Sequence, residues 1–283
     1  MSDLSYPAAL VLGVVEGLTE FLPVSSTGHL TVAEKVLGLS VDDPAVTAYT
    51  AIIQLGAIAA TFLYFRRDLV RLVGAWARGL GDPGRRDHDY ALAWAVLVGS
   101  VPVMVVGFLA RAIIAGPLRS LWVVAAALIL WSAVMWASEA RYATLVRGRR
   151  ERGEGLVSVR DGLWMGLIQC FALVPGVSRS GATISAGLFR GIDRVTATRL
   201  SFFLAIPALT AAGGYEALSA DLSSLGGGQM LLGVVVAFAV AYASIAWLLR
   251  FVATNTLTPF VGYRLLAGGV LVVALLAGWL AHR

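Results

Sequence analysis

The chain has 283 residues, of which 58% are hydrophobic and only 14% are charged, and its formal net charge is +5. With a mean hydropathy of +0.80, this composition excludes an ordinary soluble domain and indicates a polytopic membrane protein. Most of the arginines lie between the apolar runs, as the positive-inside rule expects, so we expect no nucleic-acid partner. The single cysteine excludes an internal disulfide and a cysteine metal cluster.

The first element, residues 1–45, is predicted to be a pair of short helices interrupted by a polar turn at Pro23 and Gly28. Each helix is too short to cross a bilayer, which is typical of a re-entrant membrane segment. Because the first apolar run contains Glu16 and Glu20, we expect it to stay in the mature protein rather than to act as a signal peptide.

Six further runs each have roughly the 17–25 mostly apolar residues that span about 30 Å of hydrocarbon. They are residues 47–65, 91–110, 118–138, 196–215, 230–249 and 258–281. A second interrupted pair, residues 160–192, lies between the third and fourth runs. The predicted fold is an all-α polytopic membrane protein with six transmembrane helices and two re-entrant helix pairs.

The two interrupted pairs repeat each other, since residues 7–30 align with residues 160–183 at a constant shift of 153. The shift pairs Gly13 with Gly166, Glu16 with Gln169, Ser25 with Ser178, Thr27 with Ser180, and Gly28 with Gly181. We predict one membrane domain with internal repeats at roughly 1–140 and 158–283, joined by a basic cytoplasmic linker, 141–157. Three spans per half would invert the second repeat, so that the two broken segments meet near the middle of the bilayer.

Charge also predicts the orientation. The connections 66–90 and 139–160 each contain six arginines and should be cytoplasmic, whereas the connection 216–229 has Glu216 and Asp221 and no base, and should lie outside. The same assignment puts both termini outside and opens the site towards the extracytoplasmic side.

The first break contains acids. Glu16 and Glu20 are one helical turn apart, and two charges in a membrane segment cost about 5–7 kcal/mol on insertion scales. They could snorkel to the interface as a solvated pair. However, the next residues add hydroxyl and imidazole groups from Ser25, Ser26, Thr27 and His29. This set favours a hydrophilic pocket that holds a divalent cation through oxygen ligands.

The second break contains a cation. Arg179 offers a planar fork of N–H donors beside the hydroxyls of Ser178, Ser180 and Thr183. The amides of Gly176 and Gly181 and a helix N-terminus add donors, so the pattern indicates a phosphate-binding site. The alternative is a capped helix whose Arg179 only pairs structurally with Glu16 or Glu20.

Two long motifs carry a family resemblance. EGLTEFLPVSSTGH (16–29) and PGVSRSGAT (175–183), with IQLGAI (53–58) between them, resemble the signature segments of the bacterial undecaprenyl-diphosphate phosphatases of the integral membrane, non-PAP2 type, the bacitracin-resistance proteins. The similarity extends over nearly the whole chain. It implies a bacterial plasma-membrane enzyme that removes the terminal phosphate of a C55 isoprenyl diphosphate and depends on a divalent metal, Mg²⁺ or Ca²⁺.

Carried over by position, the resemblance implies a site built from Glu16, Glu20, Ser25, Ser26, Thr27, His29, Ser178, Arg179, Ser180 and Thr183. We expect Arg179 and a metal on Glu16 and Glu20 to neutralise phosphate charge. His29 would carry protons. Ser26 activated by His29 is the favoured nucleophile, and a water activated by His29 or Glu20 is the alternative.

The expected partners are a polyprenyl diphosphate and membrane lipids, with a homodimer left open. For Arg264, a buried charge in the last run, a structural or headgroup-anchoring role is favoured over catalysis. A lipid-phosphate flippase or transporter is the main rival function, because inverted repeats with midplane breaks are transporter architecture. A PAP2-type phosphatase is disfavoured, since no histidine follows Arg179 until residue 282.

Overall fold

The computed structural model describes residues 4–41, 43–219 and 226–280, and these contain α-helices, short 3-10 turns and no β-strand. In chain order the α-helices are α1 (Tyr6–Thr19), α2 (Ser26–Val36), α3 (Pro44–Tyr64), α4 (Arg66–Gly81), α5 (His88–Leu109), α6 (Arg111–Ala115), α7 (Leu121–Arg147), α8 (Val159–Gln169), α9 (Arg179–Phe189), α10 (Arg194–Ser219), α11 (Gly227–Thr254) and α12 (Thr258–Leu276).

Six of these helices, α3, α5, α7, α10, α11 and α12, are long and apolar enough to cross a membrane. They confirm the six predicted spans and the all-helical fold class. The predicted third span ended at residue 138, but α7 continues to Arg147. The extra turns contain Glu139, Arg141 and Arg147, so they extend a helix that is already nucleated into a polar region.

The predicted interrupted segments are two pairs of short helices. Helix α1 has 14 residues, and α2, α8 and α9 have 11 each. At 1.5 Å per residue none of them spans 30 Å of hydrocarbon. Local sequence explains where two of them begin: the Ser5 hydroxyl caps α1, and Ser158 and Asp161 form a capping box on α8.

Helices from the two halves of the chain pack against each other. Helix α11 contacts α1 and α3, α8 contacts α5, α10 contacts α3 and α5, and α7 contacts both α9 and α12. Glycines allow the closest approaches. A Cβ on Gly13 would lie 2.9 Å from the Gly233 carbonyl oxygen, and a Cβ on Gly166 would overlap the carbonyl of Gly99. Such small-residue contacts are typical of helix packing in membranes.

The basic connections are ordered by ion pairs. Arg71 of α4 pairs with Asp68, Asp89 and Glu154. Asp161, at the start of α8, is fully buried. Burial alone would raise the pKa of its carboxyl, but hydrogen bonds, principally from Arg152, outweigh burial and hold the pKa well below its usual range. Asp221, used above to predict orientation, lies outside the described residues.

Candidate active site

The loop between α1 and α2 directly contacts the loop between α8 and α9. The Gly176 amide donates to the Ser25 hydroxyl at 3.0 Å, and the Ser180 hydroxyl donates to the Leu22 carbonyl, also at 3.0 Å. Residues that are about 150 positions apart in the chain therefore share one buried junction. The two motifs predicted to form a single site do lie together.

Glu20 is the acid at this junction. Arg179 Nη2 donates to the Glu20 backbone carbonyl at 3.2 Å and to Oε1 at 3.4 Å. The other carboxylate oxygen, Oε2, accepts from the Ser26 hydroxyl at 2.7 Å. Only 12% of the Arg179 side chain and 5% of the Glu20 side chain are exposed. An ion pair this buried is coupled far more strongly than one on the surface.

The two loops have the same unusual backbone at equivalent serines. Ser25 has φ 79° and ψ 99°, and Ser178 has φ 78° and ψ 122°. Residues other than glycine rarely adopt such angles, and each instance costs on the order of 1–3 kcal/mol. Both serines cap the following helix, with their hydroxyls accepting from Gly28 and Gly181 respectively. Strain at both positions marks the two loops as a constrained region.

Several predicted phosphate ligands already have protein partners. The Gly181 amide donates to the Ser178 hydroxyl at 3.2 Å, just as the Gly176 amide donates to Ser25. Thr183 points the other way, and its hydroxyl donates to Ser201 at 2.6 Å. Thr27 is exposed at the start of α2. These groups therefore shape the loops. Arg179 is also engaged, through Nη1 and Nη2, and its Nε is the guanidinium nitrogen that has no hydrogen-bond partner among the described residues.

Both ring nitrogens of His29 bond to partners other than Ser26. Its Nδ1 lies 2.7 Å from the Ser25 carbonyl and must be the protonated nitrogen, because a carbonyl only accepts. In the neutral imidazole, Nε2 then accepts from the Tyr263 hydroxyl at 2.6 Å. The predicted activation of Ser26 by His29 is thus not the arrangement found. The Ser26 hydroxyl instead donates to Glu20 Oε2 at 2.7 Å.

Comparison with known proteins decides the family. The sequence model of the bacitracin resistance protein BacA family matches residues 9–270. The chain belongs to the BacA family. It is 54% identical over 274 residues to undecaprenyl-diphosphatase 3 of Frankia casuarinae. The alignment covers 95% of this chain and 96% of that relative. It is 51% identical over 284 residues to undecaprenyl-diphosphatase 1 of Streptomyces coelicolor, covering all of both chains.

A third relative, undecaprenyl-diphosphatase 1 of Frankia alni, is 53% identical over 280 residues, which is 98% of each chain. With six helices able to cross a bilayer, this BacA-family chain is a multi-pass bacterial membrane protein. The resemblance seen in the two motifs is confirmed.

Sequence reasoning missed two residues that contact the candidate site, Tyr263 and Ser201. Tyr263 lies on α12, and Ser201 on α10 accepts from Arg179 through its carbonyl at 3.0 Å. Neither belongs to a motif, and both come from spans that read as ordinary apolar helices. A polar YR pair inside the last span, Tyr263 and Arg264, was the only signal that could have pointed to α12.

Glu16 and Glu20, the predicted ligands of a divalent cation, are both buried acids. Glu16 and Glu20 are 1% and 7% exposed and one turn apart, since the Glu20 amide donates to the Glu16 carbonyl. Within the described residues no group of three or more acids, histidines or cysteines forms a protein cage for a metal. Two carboxylates suit Mg²⁺ or Ca²⁺ when substrate phosphate oxygens and water supply the remaining ligands.

Proposed function

We propose that this chain hydrolyses undecaprenyl diphosphate to undecaprenyl phosphate and inorganic phosphate, so that the lipid carrier is recycled for peptidoglycan and other cell-wall polymers. Family membership and the printed names of relatives about half identical over nearly their whole length support this activity. One observation carries the assignment to a site: Arg179 and Ser26 both contact the Glu20 carboxylate, at 3.4 and 2.7 Å.

Phosphoryl transfer requires that charge be neutralised and a nucleophile be held in line. Arg179 offers a fixed guanidinium to the terminal phosphate, and water exclusion strengthens that interaction. Glu16 and Glu20 would hold Mg²⁺ or Ca²⁺. When bound, the cation would neutralise diphosphate charge.

Two routes of attack share this arrangement. In the first, the Ser26 oxygen bonds to the terminal phosphorus as the bond to the bridging oxygen breaks, and the Ser26 proton passes to Glu20. Undecaprenyl phosphate leaves, and a water then cleaves the phosphoserine to release phosphate. In the second, a water takes the place of Ser26 as the nucleophile and gives its proton to Glu20. His29 and Tyr263 move protons at the exposed edge of the site in either route.

The finer architecture is part of the proposal. We infer that α1–α2 and α8–α9 are re-entrant pairs in an inverted repeat. Reciprocal packing supports this inference, because α1 packs on α11 as α8 packs on α5. The basic connections would face the cytoplasm, both termini the outside, and the site the extracytoplasmic leaflet. Cysteines at 82 and 224 in a Cys170→Ala background test the orientation: an impermeant reagent should label only position 224.

Phosphate release tests the activity. The purified protein with a polyprenyl diphosphate and Mg²⁺ or Ca²⁺ should liberate phosphate, and Glu20→Ala, His29→Ala and Arg179→Ala should each abolish release. A transporter would bind the lipid without releasing phosphate. Near wild-type turnover in all three variants would end the enzyme assignment for this site. Acid quenching with the terminal phosphate labelled separates the two routes, because only the Ser26 route leaves label on the protein.

A further inference from the structure

Arg264 lies on α12 and is completely buried. Its guanidinium donates to four acceptors: the Pro23 carbonyl at 3.3 Å, the Gly176 carbonyl at 2.9 Å, the Ala127 carbonyl at 3.3 Å and the Ser132 hydroxyl at 3.3 Å. Within the part of the chain that the structure describes, no carboxylate lies within ion-pair distance of it. Such a buried charge is costly and is expected to have a specific purpose.

Two of these acceptors are equivalent positions of the internal repeat. Pro23 and Gly176 are related by the shift of 153 that aligns the motifs, and each lies two residues before a strained serine. One guanidinium therefore bonds the same carbonyl in both loops. Ser25 and Ser178 also have similar backbone angles. The two loops therefore match each other both in their strained serine and in the carbonyl that Arg264 bonds.

We propose that Arg264 is the positioning residue of the site, holding both loops so that Glu20 and Ser26 of the first face Arg179 of the second. Direct bonds between the two loops come from the Ser25 and Ser180 hydroxyls and from Arg179, which donates to Glu20. Each of them depends on a side chain that the site itself must position, so they do not by themselves fix the approach of the two backbones. The planar guanidinium of Arg264 can fix that approach, because Nη1 donates to Pro23 in the first loop and Nη2 donates to Gly176 in the second. Its Nε donates to Ser132 of α7, which anchors the guanidinium. This role goes beyond the structural or anchoring role expected from the sequence, and it rests on the proposed function.

Two substitutions test whether Arg264 acts by positioning the two loops or only through its positive charge. Arg264→Met removes the bonds and the charge, and Arg264→Lys keeps a charge but not the fork. We expect kcat to fall at least about 100-fold in both variants while KM changes less than about threefold, because the clamp aligns reacting groups rather than binding lipid. A lysine variant with wild-type kcat would overturn the clamp, since charge alone would then suffice. So would a methionine variant within about threefold of wild type.

A matched control and a second measurement distinguish a loss of loop positioning from general misfolding. Arg194, paired with Glu139 away from the loops, is another partly buried arginine, and Arg194→Met should lower thermal stability but keep kcat. Hydrogen exchange in detergent measures the loops directly. Arg264→Met should raise exchange about tenfold or more in residues 20–28 and 174–181 together, and unchanged exchange in either loop would overturn the proposal. This readout needs no activity, so it still applies if the wild type releases no phosphate and the proposed function fails.

Discussion

Glu20→Gln tests the central contact of the site with little change of shape. The amide keeps an acceptor for the Ser26 hydroxyl, but it can no longer take a proton or balance the charge of Arg179. Removing one member of a buried ion pair typically costs 3–5 kcal/mol. Arg179 keeps two carbonyl acceptors, on residue 20 and on Ser201, so we take the lower end, about 3 kcal/mol.

That energy is lost from folding stability. Loss of a general base lowers the rate on the order of 10²–10⁴-fold, so we expect kcat to fall by about 10³-fold. The assay is phosphate release from a polyprenyl diphosphate in detergent, with folding checked by gel filtration and thermal unfolding.

Glu139→Gln is the matched control, since Glu139 is also a buried acid in an arginine pair and lies outside the site. It should lose stability and keep kcat. If Glu20→Gln kept kcat within about threefold of wild type while folding normally, the reasoning that makes Glu20 both base and counter-ion would be refuted.

Three further predictions follow from separate contacts. Tyr263→Phe removes the hydroxyl that donates a hydrogen bond to His29, so kcat should fall by about tenfold and the pH profile of kcat should shift. An unchanged pH profile would exclude Tyr263 from proton transfer. Gly166→Ala places a methyl group against the α5 backbone and should lower stability by about 1–3 kcal/mol, whereas Gly269→Ala, which meets open space, should change it little. Chelation should abolish phosphate release, Mg²⁺ or Ca²⁺ should restore it, and Glu16→Gln should raise the metal concentration needed for half-maximal rate; activity that survives chelation would contradict a metal on this acid.

Much of the fold could be read from hydropathy because a bilayer imposes a length on every crossing helix. The six spans and the two short pairs follow from that rule, and the constant shift between the motifs predicted that their loops would meet. The contact between Glu20 and Arg179 agrees with that expectation. Helix α4 was not predicted, because its arginines and short apolar stripe read as a basic connection.

The chemistry inside the site was harder to predict, because which hydroxyl faces which base depends on backbone angles that sequence spacing does not encode. Ser26 and His29 are three residues apart, and that spacing suggested a hydroxyl beside its base. The strained conformation of Ser25 starts α2 so that Ser26 turns to Glu20, and the Ser25 carbonyl holds the imidazole. The hydrogen-bond partners of Ser26 and His29 therefore differ from the predicted pair, although both residues lie in the first turn of α2.

The sequence by itself determined the membrane class, the span count, the family and the residue types of the site, because each of these is written locally in hydropathy and in two continuous motifs. Only the tertiary structure decided which side chains form hydrogen bonds with one another in the site. Tyr263 and Arg264 contact the site from α12, about 80 residues beyond the second motif. Such contacts depend on how α12 packs against α7 and the loops, and helix packing between distant segments leaves no periodic signal in the chain.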